Sequence, residues 1–201
     1  MACTFRCPVH VDHKDWGNLM KLKITALAVL LLTTGCATQP LNFTPSEVKP
    51  AGIKIDASLM KVTVSLDSTQ GNTLKKKRVD AGGFEAQLAQ LWQNALDDSL
   101  GRAAIFNDDS KRRVNLSVRI IRLALPKGAM VMHTGTLARY ELIDRSTGQT
   151  IYSTDIESDG RVSGDYAFMG TTRARESVNR SIQNNISQFI EQLKGAHIAP
   201  N

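Results

Sequence analysis

The strongest constraint on this chain lies between Met20 and Cys36, MKLKITALAVLLLTTGC. Two lysines, Lys21 and Lys23, precede an apolar run from Ile24 to Leu32 that only Thr25 interrupts. A run of about nine residues is too short to cross a hydrocarbon core, which takes about 20. It has the length of the apolar centre of a secretory signal, about 7–15 residues. Thr33, Thr34 and Gly35 then offer small side chains ahead of Cys36, as cleavage requires. Residues 20–35 are therefore read as a signal peptide, and the folded part of the chain must follow it.

Residues 1–19, MACTFRCPVHVDHKDWGNL, do not suit this arrangement, because they place charges and two cysteines ahead of a signal that ordinarily starts a chain. They are read as an extension from a mis-assigned upstream start, with translation beginning at Met20. Cys3, Cys7, His10, His13 and Trp16 accordingly carry no functional weight. Their spacing also lacks the usual pattern of a zinc knuckle. Cys36 is the last cysteine in the sequence. After the signal is removed it has no partner for a disulfide.

From Cys36 onward the chain is long enough for one domain with a real core. The whole sequence carries a formal charge of +6, and a small basic surplus remains after Cys36. That surplus suits proximity to an anionic membrane surface. It falls well short of a nucleic-acid-binding stripe, and no nucleic-acid partner is expected. Residues 36–57 are interrupted by Pro40, Pro45, Pro50 and Gly52 and read as a tether that spaces the domain from a surface. Leu41 and Phe43 are apolar enough to pack on the domain or a partner instead.

Residues 58–195 read as a single domain. Val62, Val64 and Leu66 alternate with polar residues, as in a half-buried strand. A helix follows over 83–100, with Phe84, Leu88, Leu91, Trp92, Ala95 and Leu96 on one face and Gly101 placed to stop it. Trp92 is read as core. The strongest strand runs over 112–125, and its apolar phase slips at Ile120 and Ile121, which predicts a bulge. Residues 134–144 and 150–158 form a hairpin around a turn containing Gly148. A small apolar loop, Tyr166 to Met169, leads into a second helix over 172–194. Its stripe is Val178, Ile182, Ile186, Phe189, Ile190 and Leu193, Thr171 or Thr172 can cap its start, and Gly195 follows its end. Residues 196–201 read as a disordered tail. The order βαβββα predicts an α+β fold: a two-layer sandwich of a mostly antiparallel four-stranded sheet and two amphipathic helices.

Two groups of basic residues are candidate anion or lipid contacts. Lys75, Lys76, Lys77 and Arg78 form a run in the loop after the first strand, where the alternative is a solvated loop. Arg173 and Arg175, with Arg180, lie in the first half of the second helix, where cations oppose the macrodipole by a few tenths of a kcal/mol. They call for Glu176, Asp165 or an external anion. No nucleophile elbow, zinc-protease motif or phosphate-cradling glycine loop occurs. His133 is the sole histidine outside the tail and the amino-terminal extension, so a hydrolase or acyltransferase would have to use it. No enzymatic activity, cofactor or metal is expected.

The segment ending at Cys36 resembles the lipobox of bacterial lipoproteins, although Thr33 stands where that family prefers Leu. The resemblance implies lipidation of Cys36 and cleavage before it. It also implies anchoring to the periplasmic face of the outer membrane, since the following residue is Ala37 rather than an Asp that marks inner-membrane retention. The lipobox, the Pro-broken segment, βαβββα and the hairpin YELIDRSTGQTIY are together similar to small outer-membrane lipoproteins of Gram-negative bacteria. These include the YajG-like proteins and the auxiliary lipoproteins of ABC-type lipid transport systems. What the resemblance implies is a non-catalytic binding or scaffold module, with the membrane and an envelope protein as partners. An auxiliary role in lipid or lipopolysaccharide transport is the alternative.

Overall fold

The structure, a computed structural model, describes residues 40–67 and 81–198, with the side chains of 81–85 excepted. Cys36, Lys75, Lys76, Lys77 and Arg78 lie outside the described residues, as do the signal and the amino-terminal extension. The elements are β1 (Ser58–Leu66), α1 (Ala81–Ala103), β2 (Arg113–Ala124), β3 (Met132–Asp144), β4 (Thr150–Val162) and α2 (Gly170–Lys194). This is the expected βαβββα order.

The sheet has the order β1-β2-β3-β4. β1 and β2 are joined through α1 and pair in parallel, with Val62 opposite Leu116 and Val64 opposite Val118. The other two pairs are antiparallel. Between β2 and β3 the register shifts between Ile120 and Arg122. That irregularity is the bulge predicted from the slipped apolar phase: Ile120 and Leu123 both stay buried although they stand three positions apart, which a regular strand would place on opposite faces. The β3–β4 turn is held by Asp144, which accepts hydrogen bonds from Ser146 N at 2.8 Å and Ser146 Oγ at 2.6 Å. Gly148 takes φ 72°, the left-handed conformation that glycine adopts without a Cβ penalty.

Both helices cover the same sheet face, α1 over β1 and α2 over β3 and β4. Trp92, Leu88 and Leu96 of α1 meet Leu116, Ala138, Tyr140, Ile156, Ile186 and Phe189 in one continuous core. The rings of Tyr140 and Phe189 stack at 4.0 Å between centroids. All six residues predicted for the α2 stripe are buried.

A row of polar residues runs beside that stripe. Ser177, Ser181 and Asn185 recur every fourth residue and are all buried. Ser177 Oγ lies 2.8 Å from Thr134 Oγ1, and Ser181 Oγ lies 2.7 Å from Thr136 Oγ1. Tyr140 donates to Asn185 Oδ1 at 2.8 Å, and Asn185 Nδ2 donates to Ile156 O and Ser158 Oγ, each at 2.9 Å. Buried polar groups are tolerated when paired in this way. Burial pushes the Tyr140 phenol well above the ordinary tyrosine value.

Four expectations are corrected. Residues 40–57 are not a spacer: Phe43 and Ala57 are buried, and the segment is strapped to both helices. Asn42 N donates to Asn179 Oδ1 at 3.0 Å and Gln183 Nε2 to Asn42 O at 2.8 Å. Arg102 Nη2 donates to Pro45 O at 2.7 Å, and Ile55 N to Ile105 O at 2.7 Å. The apolar value of Phe43 outweighs the extended bias of the prolines. Gly101 does not stop α1, which continues to Ala103, and Ala104 takes the left-handed conformation at φ 48°. Neither threonine caps α2: Met169 occupies that position without a side-chain hydrogen bond, and Gly195 at its end is not left-handed. In the supposed tail, Ala196 and Ile198 pack against the core.

Candidate functional site

The sheet leaves its second face open, and charged residues occupy it. Arg139 holds Asp155 through two hydrogen bonds of 2.6 and 2.7 Å. Arg122 pairs with Glu157 beside it. Hydrogen bonding by the Arg139 guanidinium holds the Asp155 carboxyl below the usual carboxylate range. His133 also lies on this face, with Nε2 3.5 Å from Asp159 Oδ2. The strand period puts Ser158 on the opposite face, where its hydroxyl donates to Ser181 O at 2.9 Å. His133 and Ser158 thus cannot act on one substrate atom. Among the described residues no group of three His, Cys, Asp or Glu side chains is placed to hold a metal ion.

The more distinctive feature is the end of the molecule where α2 begins. Two loops meet there, 125–131 before β3 and 163–169 before α2. Phe168 is fully exposed, Met130 is 80 % exposed, and Met169, Tyr166 and Val131 are also exposed. Of the seven large apolar side chains exposed among the described residues, these are five; the others, Ile53 and Met60, lie in or before β1. Such concentration of apolar surface marks a contact site more often than scattered exposure does.

The loops are built rather than loose. Gly164 packs on Met130: a Cβ at position 164 would stand 2.7 Å from Met130 Cγ and 3.2 Å from Met130 O. Arg173 Nη1 donates to Phe168 O at 3.0 Å and also to Ala167 O. The Arg180 guanidinium lies 5.2 Å from the Tyr166 ring centre, and its Nε donates to Glu176 Oε1 at 2.7 Å. Hydrogen bonds from Ser163 and from its own backbone N–H hold the Asp165 carboxyl below the usual range.

The sequence-predicted arginines therefore divide. Arg180 takes Glu176, one of the expected internal partners. Arg173 is turned onto loop carbonyls and shapes the apolar loop. Arg175 is exposed and lines a groove with Pro40, Leu41, Leu125, Pro126 and Ala174. The sequence pointed to Tyr166–Met169 as an apolar loop. It did not join Met130 and Val131 to it; an apolar pair just after Pro126 and Gly128, where a turn should be polar, was the available signal.

No helix among the described residues is long and apolar enough to cross a membrane. No family model matches the chain. No curated protein matches it either. Several solved structures are similar to it. A Xanthomonas campestris protein, XCC0632, of the family DUF330 is 11% identical over 78% of this chain and 94% of its own, with a TM-score of 0.46. A minor lipoprotein from Acinetobacter baumannii is 16% identical over 67% of this chain and 90% of its own, at 0.36. PelC from Paraburkholderia phytofirmans, solved as a dodecamer, is 15% identical over 70% and 91%, at 0.37.

Proposed function

We propose that this protein is an envelope lipoprotein, anchored through lipid on Cys36 to the periplasmic face of the outer membrane, that works as a non-catalytic binding or scaffold module. The observation that carries this reading is the lone Cys36 directly after a short apolar run and small residues. Likeness to the YajG-like lipoproteins is part of the proposal and rests on the lipobox and element order. The docked segment adds to it. Cys36 precedes Pro40 by only four residues, a reach of at most about 14 Å. An anchor at Cys36 would hold the domain close against the bilayer rather than at the end of a long leash.

Growth with an alkyne fatty acid tests the anchor. Label on the wild type and none on Cys36→Ala is expected, with the labelled chain in the outer-membrane fraction of a density gradient. Label that survives the substitution would remove the lipoprotein reading.

A second reading, an auxiliary subunit of a lipid or lipopolysaccharide transport system, is favoured by the exposed Phe168 and Met169. Site-specific crosslinking from position 168 in cells distinguishes it: an identified transport subunit in the adduct supports it, and its absence leaves the scaffold reading. An envelope hydrolase or acyltransferase built on His133 has the least support, given the outward-facing imidazole and the inward-facing Ser158.

A further inference from the structure

We propose that the apolar tip formed by Met130, Phe168 and Met169 is a second membrane contact, which sinks into the headgroup boundary of the bilayer while Lys127 and Arg175 meet lipid phosphates. The inference rests on the anchored reading of Cys36 and goes beyond it, because it fixes which end of the domain faces the lipid.

Four observations carry it. The exposed side chains are presented by locked backbone: Gly164 is packed on Met130, and Arg173 holds the carbonyls of Ala167 and Phe168. Ordering therefore costs little when the tip meets its target. The side chains are of the kind that bury at a membrane interface, one aromatic and two thioethers, to a depth of about 5–10 Å. The charges around them favour an anionic surface by a small margin: over the two loops and the first turns of α2, Lys127, Arg173 and Arg175 stand against Asp165 and Glu176.

The fourth observation selects a bilayer over a protein partner. Pro40, four residues after Cys36, lines a groove with Leu41, Leu125, Pro126, Ala174 and Arg175. Leu125 and Pro126 lead into the loop that carries Met130. Ala174 and Arg175 lie just after Phe168 and Met169, in the first turns of α2. The acyl chains on Cys36 would therefore be tied within about 14 Å of the same end of the domain. A lipid surface is the one partner that the covalent chain itself delivers there.

The test uses the full chain, expressed in a Gram-negative host, purified with its anchor and reconstituted into phosphatidylethanolamine and phosphatidylglycerol vesicles. Phe168→Cys receives an environment-sensitive fluorophore. Arg145→Cys, in the hairpin turn at the opposite end of β3 and β4, is the control, and the parent chain is the blank. Both positions are exposed, so neither substitution disturbs the core. With nitroxide-labelled lipid in the vesicles, the probe at 168 is expected to shift to the blue and lose more than about half its emission, with the probe at 145 unchanged. Equal emission at both positions would overturn the proposal. So would a probe at 168 shielded by an identified co-purifying protein without lipid quenching. The intact mass of the same sample reports acylation of Cys36 independently. An acylated chain with an unquenched tip sinks the tip alone. An unacylated chain with a quenched tip sinks the anchor and retains the tip as a membrane contact.

Discussion

Gly160 of β4 lies directly against Ser177 of α2, so closely that a Cβ at position 160 would stand 2.1 Å from the Ser177 carbonyl oxygen and 2.4 Å from Ser181 N. Helix and strand meet backbone to backbone at this point. Gly160→Ala should push α2 off the sheet and reduce the unfolding free energy by about 2–3 kcal/mol. Gly135→Ala is the comparison, since its methyl group would meet only Ala124 Cβ at 3.9 Å. It should stay within about 0.5 kcal/mol of wild type. Urea unfolding of the two variants decides the matter, and equal midpoints would refute the close approach.

The polar row that flanks this contact makes α2 specific for its place on the sheet. Asn185→Ala would leave the Tyr140 hydroxyl without its acceptor and take one donor each from Ile156 O and Ser158 Oγ in a dry interior. The expected loss is about 2–4 kcal/mol. Tyr140→Phe removes one donor only and should lose about 1–2 kcal/mol. Equilibrium denaturation should rank the two variants in that order.

These two features show which parts of the fold were legible in the sequence. The α2 stripe and the alternation in β2 and β3 were readable, because burial follows the period of the element itself. Ser177, Ser181 and Asn185 were not, because they look like a solvated face until Thr134, Thr136 and Tyr140 arrive from more than 40 residues away. The need for Gly160 also comes from another element. Residues 40–57 failed for a related reason: their prolines read as a leash, while the core that buries Phe43 exists only once the domain has folded. At the tip, the apolar loop 166–169 was visible, but its union with Met130 required the packing of Gly164.

Phe43 measures how firmly that segment is attached. It is 1 % exposed, and Phe43→Ala should destabilise the domain by about 3–4 kcal/mol. Exposed Ile53→Ala in the same segment should change stability by no more than about 0.5 kcal/mol. Thermal melting separates the two outcomes, and a mild effect at Phe43 would restore the view of a free tether.

Asp144 supplies a pH dependence. The Ser146 hydroxyl, the Arg112 guanidinium at 2.9 Å and the Ser146 backbone N–H hold its carboxyl far below the usual range. A carboxylate with a depressed folded-state pKa stabilises most fully above the ordinary Asp value of about 3.9, and that contribution is lost as pH falls below it. The stability gap between wild type and Asp144→Asn should therefore be constant near neutrality and close below about pH 4. A gap unchanged into strong acid would contradict this assignment.

The most direct test of the lipid anchor is the intact mass of the protein recovered from membranes of a two-membrane bacterium. Anchoring through Cys36 predicts one species that begins at Cys36 and carries acyl chains there, and an unacylated Cys36→Ala. A species that retains residues before Cys36, with no acyl mass on the cysteine, would contradict it.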